Sequence, residues 1–181
     1  MDIFDKFRPL AETRNALARL GGEFFTIVLE DITSPTEAVV NGRPTLLAGT
    51  NNYLGLTFDP ECIRASCLAA EREGTGTTGS RLAHGSFAGH IALERDLSAF
   101  FNCRHTLVFS TGSLANLAML STVVGPGEVI LLDADCHASI YDGCRMGGAD
   151  VIRFRHNDVA DLEKRLRRLA KRDTNVLIVV E

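Results

Sequence analysis

From Thr106 to the C-terminus, short apolar runs alternate with amphipathic stretches of helical period, and this alternation restricts the chain to few architectures. The runs are Thr106–Phe109, Val129–Leu132, Val151–Phe154 and Val176–Val180. Between them lie predicted helices over 114–123, after His137, and over 159–172 with Asp158 as N-cap. Strands without polar alternation, separated by helices, predict a parallel sheet covered on both faces and joined by right-handed crossovers.

The first third reads differently. Phe7, Leu10, Leu17 and Leu20 mark an amphipathic helix over 5–20, closed by Gly21-Gly22. Phe25–Glu30 reads as a strand, and Val39-Val40, Asn41-Gly42 and Thr45–Leu47 as a hairpin with a two-residue turn. Pro60 opens a helix to about Arg72, a glycine-rich loop runs from Gly74 to Ser80, and a further helix covers 89–101. The expected division is an N-terminal segment, 1–58, and an α/β region, 59–181.

The net charge of −4 supplies no field for nucleic acid. The N-terminus has no apolar signal region, and no run is long and apolar enough to predict a membrane span. Five cysteines without a C-x-x-C pair read as free thiols in a reducing cytoplasm.

Three motifs carry chemistry. Gly74-x-Gly76-x-x-Gly79 matches the dinucleotide fingerprint in letters, but a helix precedes it where a strand is required. A connecting loop, or a close backbone approach to a ligand or partner subunit, suits it better. Ser110-Thr111-Gly112-Ser113 joins a predicted strand to a predicted helix. It reads equally as a phosphate cradle or as an ordinary helix cap. Asp133–Ser139 lies at the carboxyl end of a strand, where open α/β sheets bind ligands. Its spacing does not favour a metal; His137 is either a planar ring laid over an aromatic cofactor or a helix cap. His84, His90, His105 and His156 show no evident partner in sequence. The cations of 164–172 form the outer face of an amphipathic helix, open to solvent or to a weak contact with an anionic carrier protein or membrane surface.

Taken in order, Asn52–Leu56, Gly74–Arg81 with His90 and Glu94, Ser110–Gly112 with Ala115-Asn116, and Asp133–Ser139 resemble the α-oxoamine synthases. Ser34–Val39, and His137–Cys144 continuing to Arg153–Asn157, resemble bacterial members that act on serine. The resemblance implies the large domain of a fold-type I pyridoxal-5′-phosphate (PLP) transferase. It implies condensation of an amino acid, L-serine favoured, with an acyl-CoA or acyl-carrier-protein thioester, as in the first step of sphingolipid synthesis. Siblings using glycine or alanine with shorter acyl groups are the alternative; a non-catalytic fragment that binds a partner is another.

Carried over, Gly112 and Ser113 give backbone donors to the cofactor phosphate, His137 stacks on the ring and orients substrate, and Asn52 lies near the substrate. Ser113 departs from the usual aromatic residue there. The resemblance also implies a cytoplasmic homodimer with the active site between subunits, and places the glycine-rich loop at that interface. The Schiff-base lysine and the aspartate that meets the pyridine nitrogen are expected beyond Glu181. The isolated chain is therefore expected to be inactive. Strand 106–109 is expected to lack sheet neighbours, leaving edges that favour aggregation and poor solubility.

Overall fold

The computed structural model describes residues 2–20 and 27–181, which fall into two compact units, Met1–Thr78 and Gly79–Glu181. Of the strand expected over 25–30, Phe25 and Thr26 lie outside the described residues.

In the first unit a 3₁₀ turn, Asp5–Phe7, leads into α1, Arg8–Arg19, which Pro9 opens. Three strands follow, β1 (Leu29–Ser34), β2 (Glu37–Val40) and β3 (Arg43–Leu46), paired antiparallel in chain order. Asn41 and Gly42 link β2 to β3 with φ of 50° and 72°, the left-handed pair that a two-residue hairpin turn requires. The hairpin is as expected; β1 extends further and makes it a three-stranded meander. Helix α2, Pro60–Glu73, is capped by Asp59, whose Oδ1 accepts from the N–H groups of Glu61 and Cys62, both at 2.9 Å. It stops at Gly74, φ 83°.

In the second unit α3 (Ala88–Phe100) and α4 (Gly112–Val123) precede a β–α–β–α–β run: β4 (Val129–Asp133), α5 (Ala138–Gly147), β5 (Asp150–Phe154), α6 (Val159–Leu169) and β6 (Val176–Val179). The sheet is parallel in the order β5-β4-β6. Central β4 is buried along its whole length, which explains why Val129–Asp133 shows no polar alternation. Its side chains divide between two cores. Ile130 and Leu132 pack with Leu120, Val124, Ile140 and Cys144 on the α4–α5 face. Val129 and Leu131 pack with Phe154 and Leu169 on the α6 face, where Leu162 and Leu166 complete the apolar stripe.

The strand expected at 106–109 pairs with no other strand among the described residues. Side chains fix this segment instead. The Val108 N–H donates to Glu94 Oε1 at 2.9 Å, and Ser98 Oγ donates to Thr106 Oγ1 at 2.9 Å. Leu107 and Phe109 stay exposed. The glycine-rich loop supports the reading against a dinucleotide site: α2 precedes it and the next helix begins only at Ala88. Its later part is closed on itself. A Cβ at Gly85 would lie 1.9 Å from the Gly79 carbonyl oxygen, so backbone crosses backbone there.

Candidate active site

The site begins with how α4 meets α5. Their contacts advance together: Asn116 meets Ser139, Leu117 and Leu120 meet Gly143, and Ser121 and Val124 meet Gly147. The two helices therefore run in the same direction, with their N-termini side by side. Close packing needs the two glycines. A Cβ at Gly143 would lie 3.0 Å from the Asn116 carbonyl oxygen, and one at Gly147 only 2.7 Å from that of Val124. Because α5 follows β4 directly, both N-termini open at the carboxyl edge of the sheet.

At the first N-terminus, Thr111 Oγ1 accepts the Leu114 N–H at 3.1 Å, and the Thr111 carbonyl accepts that of Ala115 at 3.1 Å. The N–H groups of Gly112 and Ser113 donate to nothing among the described residues. Two free, exposed donors at the positive end of a twelve-residue helix, beside a second helix start, suit an anion. Thr111 is therefore a cap, and the cap leaves the Gly112 and Ser113 N–H groups unpartnered among the described residues.

At the second N-terminus His137 is itself the cap. Its Nδ1 accepts the Ser139 N–H at 3.2 Å and lies 2.8 Å from Ser139 Oγ. Asn116 Nδ2 donates to that hydroxyl at 3.0 Å, so the Ser139 O–H is left to donate a hydrogen bond to Nδ1. In the neutral ring the hydrogen then sits on Nε2, which has no partner among the described residues. The His137 N–H donates to the Glu181 carboxylate.

The loop between β4 and His137 is fixed residue by residue. Buried Asp133 accepts from the Asp135 N–H at 2.9 Å, His156 Nδ1 at 2.8 Å and the Asn157 N–H at 3.1 Å. The backbone donor of Asp135 is the main cause that holds its pKa below the usual 3.8, while the bond to Asp133 raises that of His156 above 6.5. The Ala134 N–H donates to the Phe154 carbonyl at 3.0 Å, and Tyr141 Oη donates to the Ala134 carbonyl at 2.7 Å. Asp133 is thus a structural anchor, and no three His, Cys, Asp or Glu side chains gather to hold a metal among the described residues.

Two histidines that showed no partner in sequence have one. His156 meets Asp133, 23 residues away, and His90 Nδ1 accepts the Phe87 N–H at 3.0 Å to cap α3. Asn116 and Ser139 lay inside quoted motifs without a role; only the helix packing reveals their link. Asn52 belongs to the first unit, where its Oδ1 accepts from the Thr57 hydroxyl at 2.8 Å and N–H at 3.3 Å, leaving its amide N–H groups without a partner among the described residues. On α6 Lys164 and Arg168 remain exposed, as does Lys171 in the turn after it.

The family of class I and II aminotransferases matches residues 44–181, and the chain belongs to it. The chain is 55% identical over 181 residues to serine palmitoyltransferase of Caulobacter vibrioides (strain NA1000 / CB15N). It is also 42% identical over 132 residues to 8-amino-7-oxononanoate synthase of Lysinibacillus sphaericus. The solved Sphingomonas wittichii serine palmitoyltransferase superimposes with a TM-score of 0.92 at 50% identity, over 98% of this chain and 45% of that one. The fold is accordingly that of a fold-type I transferase, and the chain spans under half, 45%, of the curated relative's length.

Proposed function

We propose that this chain is part of a PLP-dependent acyltransferase that joins L-serine to an acyl thioester with loss of carbon dioxide, giving a 3-ketoamine. The observation that carries this reading is the pair of parallel helix N-termini, with the free Gly112 and Ser113 N–H groups on one and His137 on the other. These residues fit the cofactor. Two backbone donors and a helix dipole suit its phosphate, and a ring held by Ser139 suits a planar neighbour. Bound there, PLP supplies an electron sink for charge developing at the amino-acid Cα.

The chain's own residues do the positioning. Gly112 and Ser113 hold the phosphate through backbone, so the serine side chain at 113 costs packing but no donor. His137, its Nδ1 committed to Ser139, offers Nε2–H to the substrate carboxylate. For Asn52, whose amide N–H groups have no partner among the described residues, a role toward substrate rests on the family resemblance alone. A cytoplasmic homodimer with the site between subunits completes the reading. The exposed cations of α6 would meet an acyl-carrier protein or an anionic membrane surface.

The test is to express the longer protein that carries this chain, record the absorbance of added PLP, and follow carbon dioxide release with L-serine and palmitoyl-CoA. A cofactor band that shifts with L-serine, followed by release, supports the reading. Absence of a band refutes it. Release with glycine or alanine and not with serine would assign the protein to the synthases of shorter ketoamines.

A further inference from the structure

The Asp133 carboxylate makes an unusual choice of partners. It is 3% exposed at the carboxyl edge of the sheet, yet none of its three bonds supports a strand or helix. All go to the two loops that leave the edge: Asp135 on the way to α5, and His156 and Asn157 on the way to α6. One oxygen, Oδ1, is shared by the Asp135 N–H and by His156 Nδ1. Two residues beyond Asp135 stands His137.

We propose that His156 is a positioning residue. By holding Asp133 Oδ1, it fixes the Asp133–His137 loop so that the imidazole of His137 faces the N-terminus of α4. His156 lies outside the cradle and its side chain is 48% exposed, so it acts through Asp133 and touches no reacting atom. The other restraints on the loop, Tyr141 to Ala134 and Ala134 to Phe154, act before Asp135. Between Ala134 and the cap at His137, the Asp133 carboxylate is the side-chain hydrogen-bond acceptor that holds Asp135, while Cys136 packs on the α4–α5 core and the His137 N–H meets Glu181. The consequence for catalysis rests on the function proposed above; the consequence for the ring does not.

The experiment uses the longer protein, labelled with ¹⁵N-histidine, and compares wild type with His156→Leu and His156→Asn. Asparagine retains an N–H donor near the position of Nδ1; leucine does not. In His156→Leu the His137 Nδ1 signal should move by more than its linewidth and lose the acceptor signature. Exchange at the Asp135 N–H should accelerate while the amides of β4 stay protected. Turnover with L-serine should fall by about 10- to 100-fold, the scale of a small misplacement of a catalytic group. His156→Asn should restore all three. Unchanged His137 signals in His156→Leu would overturn the proposal, as would equal loss of protection across β4. If wild type binds no PLP, the functional reading fails, and the ring signals still decide this one.

Discussion

Arg81 and Glu94 meet at two points, Nη1 to Oε1 at 2.7 Å and Nη2 to Oε2 at 3.1 Å, and the same Oε1 takes the Val108 N–H at 2.9 Å. One carboxylate therefore joins the 79–87 loop, α3 and the extended segment before the cradle. Arg81 is the main cause, with the Val108 N–H second, that brings the Glu94 pKa down from 4.5 to about 2.

A depressed carboxylate pKa contributes stability that is present above the unfolded value and lost as pH falls through the folded one. Glu94 should therefore cost stability progressively as pH drops from 4.5 towards about 2. In Glu94→Gln that acid-side slope should flatten, with a lower melting temperature at neutral pH. Thermal melts at stepped pH check both.

The Asp133–His156 pair has two edges. Asp133, depressed, loses its contribution as pH falls below 3.8; His156, raised, contributes fully below 6.5 and loses its share as pH rises through its higher folded value. The difference in urea midpoint between wild type and His156→Leu should be greatest between those two pH values and shrink on either side.

Glycine substitutions on the α4–α5 seam should rank by the space at each site. Gly147→Ala meets backbone at 2.7 Å and Gly143→Ala at 3.0 Å, whereas a Cβ at Gly112 meets nothing within 4 Å. Overpacking of this kind costs about 1–3 kcal/mol, so Gly147→Ala should be the most destabilised, with Gly112→Ala close to wild type. Denaturant titration gives the order.

Ser113→Asp separates folding from binding. A carboxylate in the first turn of α4 favours the helix by roughly 0.3–1 kcal/mol. It also places negative charge where a phosphate would sit, so PLP affinity should fall by at least about tenfold, ~1.4 kcal/mol. A melting temperature held or raised, with weakened cofactor retention, is the expected pair of results.

Much of this was legible in sequence because the signals are local. Asn41-Gly42 dictates its turn, Asp59 and Pro60 announce α2, and Val129–Leu132 can only be a strand buried on both faces. Gly112 and His137 stood out because each sits where an apolar run hands over to a helix. What stayed hidden depends on distance along the chain. Asp133 and His156 are 23 residues apart, as are Asn116 and Ser139, and neither pair leaves a periodic trace. The strand expected at 106–109 shows the opposite failure. Its apolar content is that of a strand, but a ladder needs a neighbour, and here side chains take that place: Glu94 accepts the Val108 N–H and Arg81 donates to the Val108 carbonyl.

Gly143 and Gly147 bear no functional group, yet they set how far the open N-terminus of α4 stands from the imidazole that caps α5. The spacing of the chemistry is written in the absence of side chains. A screen of substitutions scored by activity alone would rank these two positions among the catalytic ones, and only a stability measurement on the same variants would show that they work as a ruler.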